Sequence, residues 1–143
     1  MKIMAIDYGD ARTGLAISDR SEFLASPTGT VPERNAERLA DKAAQTAAEY
    51  GAGEIIVGLP INMNGTEGPR AEKCRAFAEL LKERTALPVR MWDERSTTVT
   101  AHNILNETNV RGKARKAVVD TVAATIILEG YLEYRRKKAK QAD

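Results

Sequence analysis

The chain begins with Lys2-Ile3-Met4-Ala5-Ile6-Asp7, a short apolar run that reads as a strand and ends on a carboxylate. Gly9, Arg12 and Gly14 follow, and a second apolar stretch runs from Thr13 to Asp19, so residues 2–7 and 13–19 predict two strands joined by a glycine turn. This hairpin commits the fold to an antiparallel start. A charge beside buried strand positions is costly unless it is paired or holds a metal, so Asp7 needs a reason beyond folding. Gly9 and Gly14 would let a phosphate backbone come close, and Asp7 would hold a divalent cation between protein and phosphate.

Further along, the hydrophobic period changes from two to three and a half. Ala25 to Val31 supplies a third strand around the irregularity of Pro27. Pro32 and Asn35 introduce a helix with Ala36, Leu39, Ala40, Ala43, Ala47 and Tyr50 on one face, stopped by Gly51. Glu54 to Leu59 reads as a strand buried on both faces, and Pro69 opens a second helix whose stripe is Cys74, Phe77, Ala78 and Leu81, ending near Thr85. Pro88 to Trp92 is a further strand that delivers Asp93-Glu94-Arg95 at its end, before Ser96 or Thr97 caps another helix. A long helix is predicted from about Ala114 to Tyr134, with Val118, Val122 and Ile126 on one stripe and Val119, Ala123 and Ile127 beside it. Hairpin-linked strands followed by helix–strand units predict an α/β fold with a mixed sheet covered by helices, its later strands parallel.

The 143 residues suit one domain over 1–143, because no linker-like stretch divides them. No apolar run nears the roughly 20 residues of a membrane-spanning helix, and Met1-Lys2 leads directly into a strand without a secretory signal. The expected setting is cytoplasmic, with no membrane partner. The one cysteine, Cys74, falls among apolar helical positions and reads as a core residue. Net charge is only +2, but Arg111, Lys113, Arg115 and Lys116 crowd one loop, and Arg135, Arg136, Lys137, Lys138 and Lys140 end the chain. The tail from about 135 reads as a solvated, frayed helix end, and the inner cluster as the better phosphate contact.

Asp7, Glu94 and Asp120 are the carboxylates that the fold could gather, two from strand ends and one from the last helix. Clustered carboxylates repel, so at neutral pH they take up protons or cations, and hard oxygen ligands favour magnesium or manganese. Two such ions about 4 Å apart suit phosphodiester hydrolysis. On spacing alone, helix caps and surface acids are the commoner fate of Asp93, Glu94 and Asp120, and adjacent Asp93 and Glu94 point in opposite directions. Arg12 and Arg95 would either balance acids or contact phosphate. His102, the sole histidine, reads as an ordinary helix residue, and Thr97, Thr98 and Thr100 as local hydrogen-bonding groups.

Asp7-Tyr8-Gly9-Asp10-Ala11-Arg12-Thr13-Gly14 with Ser18-Asp19, Val57-Gly58-Leu59-Pro60 before Asn64-Gly65, Asp93-Glu94-Arg95-Ser96-Thr97-Thr98, and Lys116 with Asp120, Ala123 and Ala124 occur here in order. Through these motifs nearly the whole chain resembles the YqgF/RuvX family, ribonuclease H-like proteins to which pre-16S ribosomal RNA cleavage and Holliday junction resolution are attributed. The resemblance implies a five-stranded mixed sheet, its first three strands antiparallel, flanked by helices, as one ribonuclease H-like nuclease domain. It also implies a metal site of Asp7, Glu94 and Asp120 for Mg2+ or Mn2+, with Gly9, Arg12, Arg95, Lys113 and Lys116 on the substrate. Ser96 departs from the larger residue the family often carries there, and the acids are untouched. The implied role is 5′-end processing of the 16S ribosomal RNA precursor, with junction-DNA cleavage second; both substrates present closely spaced phosphates to a basic surface. Two other classes compete. Asp7-x-Gly9 with Gly14 also resembles the first phosphate loop of actin-like ATPases, which need two lobes where this chain has residues for one. A non-catalytic ribosome-assembly module would keep the fold and use only the basic segments. Either a monomer or a homodimer is compatible, and two-fold junction cleavage requires the dimer.

Overall fold

The computed structural model describes the backbone of residues 1–96 and 112–142, and the side chains of residues 1–95 and 122–140. The described elements are β1 (Lys2–Asp7), β2 (Thr13–Ser18), β3 (Ala25–Val31), α1 (Ala36–Tyr50), β4 (Ala52–Leu59), α2 (Pro69–Arg84), β5 (Val89–Asp93), a 3-10 turn (Glu94–Ser96) and α3 (Gly112–Ala142). The strands form one five-stranded sheet in the order β3-β2-β1-β4-β5. β1 pairs antiparallel with β2 and parallel with β4, and β4 pairs parallel with β5. This is the mixed sheet that the hairpin and the later helix–strand units predict.

Strand alternation divides the core in two. On one face Met4, Ile6, Ile55 and Val57 meet Leu39 and Ala43 of α1 and Phe77 and Leu81 of α2. On the other, Ile3, Ala5, Ala16 and Ile56 meet Ala124, Ile127, Leu128, Tyr131 and Leu132 of α3. Phe77 is 1% exposed, so truncating it to alanine should cost about 3–5 kcal/mol in lost transfer and cavity energy. The α1 start is fixed by Asn35, whose Oδ1 accepts from the Arg38 N–H at 2.9 Å, and its stop by Gly51 at φ 71°. Edge strand β3 tolerates Pro27, and the register shifts between Leu15 and Ala16 opposite it.

Three expectations are corrected. Gly14 lies inside β2, opposite Asp7 and Thr30, and is a strand residue instead of part of the phosphate-facing turn. The last helix extends to Ala142, beyond the predicted end at Tyr134. Its basic end is rich in good helix formers, and Lys137 reaches back to Glu133 at 3.2 Å. The basic cluster expected in a loop is largely helical, because the last helix already begins at Gly112 and carries Lys113, Arg115 and Lys116, whereas Ile126 and Ile127 of the two predicted stripes are both buried. The helix expected after Ser96 lies outside the described residues, as do His102, Thr97, Thr98 and Thr100.

Candidate active site at the carboxyl ends of the parallel strands

Asp7 ends β1 on the face of Ile3 and Ala5, which is the face covered by α3. The turn after it is rigid for steric reasons. A Cβ on Gly9 would come within 2.0 Å of the Arg12 carbonyl oxygen, so no other residue fits while the chain folds back. The buried Thr13 locks the turn: its hydroxyl donates to the Gly9 carbonyl at 3.4 Å and accepts from the Gly9 N–H at 3.2 Å. Asp7 and Arg12 are both engaged in polar or electrostatic contacts.

Glu94 reaches the same place from the other side of β4. In the ladder Gly58 lies opposite Trp92, and Leu59 opposite Asp93. β1 and β5 are therefore two strand spacings apart, roughly 9–10 Å, with β4 between them. The Glu94 carboxylate covers that gap by lying directly on Gly58. A Cβ there would meet Glu94 Oε1 and Ile127 Cδ1, each at 2.5 Å. Gly58 is thus the floor of a slot shared by Glu94 and α3. Desolvation raises the Glu94 carboxyl above its ordinary range, with Arg70 opposing the rise and Asp93 adding to it.

Asp93 faces a different task. Both of its carboxylate oxygens are held by Arg95, with contacts of 2.7–3.1 Å to Nε and Nη2, and it also accepts from the Arg95 N–H at 2.9 Å. Hydrogen bonding from Arg95 lowers the Asp93 carboxyl, and the same bond raises the Arg95 guanidinium. Arg95, a candidate phosphate contact, is thereby committed to its neighbour. The geometry separates the two acids that sequence spacing could not: Asp93 closes a local ion pair, and Glu94 is the one drawn over the sheet.

The first turn of α2 contributes residues not singled out in the sequence. Arg70 donates through Nη2 to the Tyr8 carbonyl oxygen and stands 3.8 Å from Asp10, and Lys73 stands 3.4 Å from Asp10. Cations in a first helical turn oppose the helix dipole, and that misfit at Arg70 was the available signal. Beneath them Cys74 is 2% exposed. Its thiol is pushed up to about 11 by burial; Arg70 opposes this and Glu94, Asp7 and Asp10 add to it. The buried sulfur thus lies within electrostatic reach of all three carboxylates. Cys74 itself is an inert core thiol.

Asp120, Lys113 and Lys116 lie on the backbone of α3, and their side chains are outside the described residues. Among the described residues no group of three or more His, Cys, Asp or Glu side chains could hold a metal ion. What the described residues form is a half-buried, oxygen-only edge, with Asp7 and Glu94 beside a cationic helix start. Such an arrangement suits a hard cation and an anionic substrate better than nucleophilic or thiolate chemistry.

Comparison with known proteins identifies the family and the fold. Residues 1–134 match the family described as "RuvX: Holliday junction resolvase". A protein of Halothermothrix orenii named "Putative pre-16S rRNA nuclease" is 45% identical over 137 residues, 96% of this chain and 98% of its own. One of the same name from Clostridium novyi is 44% identical over 133 residues, covering 93% and 98%. Among solved structures, Thermus thermophilus RuvC in complex with a Holliday junction substrate superposes with a TM-score of 0.63 at 12% identity over 96% of each chain. The fowlpox virus resolvase bound to junction DNA gives 0.55 at 12% identity, covering 94% of this chain and 98% of its own. The fold is therefore that of the ribonuclease H-like resolvases, and the chain belongs to the RuvX family.

Proposed function

We propose that this protein is a divalent-metal-dependent endonuclease, a single nuclease domain acting on the 16S ribosomal RNA precursor near its 5′ end. The observation that carries this reading is the position of Glu94, desolvated on Gly58 between the ends of β1 and β5, on the sheet face that also bears Asp7. An acid held there partly out of water is costly as an anion, and a hard cation would offset that cost. Asp7 and Glu94 would hold Mg2+ or Mn2+, with Asp120 of α3 as the third ligand. When bound, the cation supplies charge for activating water and for stabilising the leaving oxygen. The protein's own part is to fix the two acids at the ends of β1 and β5, on either side of β4, and to keep the turn at Gly9 tight enough for a phosphate to approach. Arg12, Lys113 and Lys116 would position phosphate, whereas Arg95 acts by orienting Asp93.

The RNA role is preferred because relatives matched over nearly the full chain carry that name. Junction-DNA cleavage is the second reading, supported by the family's description, and it requires a homodimer. The setting is cytoplasmic in either case, and among the described residues no helix is long and apolar enough to cross a membrane. The test offers precursor RNA and a four-way DNA junction to parent and Asp7→Asn proteins with Mg2+. Product from the parent alone supports the nuclease. Equal cutting by both overturns the site, and chelator-insensitive binding with no product from either points to a non-catalytic assembly module.

A further inference from the structure

On the α3 side of edge strand β5 the described residues line an open pocket of about 340 Å³. This lies within the size range of small-ligand pockets. Its lining includes Trp92, Tyr131 and Tyr134 together with Arg90, Arg135 and Lys138, and no carboxylate. The rings form one connected cluster. Trp92 meets Tyr131 edge-on at 5.3 Å and Tyr134 at 5.4 Å, and Tyr131 stacks with Tyr134 at 6.3 Å. Tyr134 is 45% exposed, although burying it would be favourable, and the Lys138 ammonium lies 5.7 Å from its ring. Behind the cluster the buried Glu54 accepts from the Tyr131 hydroxyl at 2.7 Å and pairs with Arg90 Nε at 2.6 Å and Arg135 Nη1 at 3.5 Å. Tyr131, Arg90 and Arg135 are thereby held in place behind the exposed Tyr134 and Lys138 before any ligand arrives.

We propose that this pocket binds an unpaired nucleotide of the substrate strand, its base stacked on Tyr134 against the Trp92 edge and its phosphate met by Lys138. Flat rings alternating with cations are what sequence-tolerant single-strand binding requires, because every base offers a π-face and every linkage a charge. A paired base has its faces occupied by neighbours and cannot enter. Trp92 lies on β5 and Glu94 follows two residues later, in the 3-10 turn that ends the strand, so a strand seated here continues toward the acids. The proposal rests on the nuclease reading for its choice of ligand. It assigns to this protein a single-stranded flank next to the cut, which fits an RNA precursor end better than a fully paired junction arm.

Trp92 is the chain's only tryptophan and therefore reports on its own pocket. The experiment titrates parent, Tyr134→Ala and Lys138→Ala proteins with single-stranded oligoadenylate as RNA and as DNA, with adenine–uracil duplex, and with polyglutamate. Tryptophan fluorescence is read in chelator, so that cleavage plays no part. Saturable quenching by single strands is expected, weakened roughly 5- to 150-fold in Tyr134→Ala. In Lys138→Ala the slope of log affinity against log salt should fall by about 0.7. A stronger RNA than DNA arm supports the RNA-processing role, and equal arms support the stacking site without it. Unchanged binding in Tyr134→Ala overturns the site, as does equal quenching by duplex or by polyglutamate. A separate Mg2+ cleavage assay on the parent separates the two claims: quenching without metal-dependent cleavage retains this pocket and removes the nuclease, and cleavage without quenching does the reverse.

Discussion

Glu54 and Glu94 both project from the sheet toward α3, and both are withdrawn from water, yet their surroundings differ in kind. Glu54, 2% exposed, is met by Arg90, Arg135 and the Tyr131 hydroxyl. Glu94 lies on bare glycine, and desolvation pushes its carboxyl up while a more distant Arg70 pulls only part of the way back. The first arrangement satisfies its charge within the fold and serves structure. Among the described residues the second is opposed only by Arg70, and an external cation would complete the set on the proposed reading.

The contrast is tested most severely by Asp7→Asn, expected to lower metal-dependent cleavage at least about 100-fold with an unchanged urea midpoint. Exchanging the two glutamates' fates comes next. Glu54→Ala should lose about 1–3 kcal/mol in urea denaturation, because the buried Tyr131 hydroxyl is left unsatisfied. Glu94→Gln should instead gain about 0.5–1 kcal/mol near neutral pH in the absence of metal, and lose cleavage. The sign follows from the raised carboxyl. Its contribution to stability is fully present below the unfolded value near 4.5 and is lost as pH rises through the higher folded value, and the amide removes that loss. Equal destabilisation by both substitutions would break the comparison.

Smaller changes sharpen it. Gly58→Ala places a methyl where Glu94 Oε1 and Ile127 Cδ1 now lie. Both are ends of flexible side chains, so about 1 kcal/mol of overpacking is expected, together with a cleavage loss out of proportion to it as the carboxylate is displaced. Arg70→Ala removes a cation that favours ionised Glu94, and should move the acidic limb of a pH–rate profile upward. A profile that does not move would show that Arg70 serves only Tyr8 and Asp10.

Much of this was legible in sequence, and for physical reasons. Period-two and period-3.6 patterns located the strands and helices because each element buries one face or both, and the apolar run ending in Asp7 singled that acid out as a candidate because a strand-end charge is costly. Three features were hidden. Asp93 and Glu94 compete at one strand end, and only the slot at Gly58 and the ion pair with Arg95 tell them apart. Glu54 sits inside an apolar run, and its partners come from β5 and α3, far away in the chain. Arg70 joins the site through a long-range contact with the Tyr8 carbonyl oxygen, which no local spacing encodes. Each is a tertiary pairing between elements whose separate patterns are ordinary.

Calorimetric titration of Mn2+ into the parent and Glu94→Gln proteins asks the question with the least intervening chemistry. The account predicts saturable binding to the parent that weakens as pH falls toward the raised Glu94 carboxyl, and its loss in the variant. Binding of equal strength and equal pH dependence in the two proteins would contradict it.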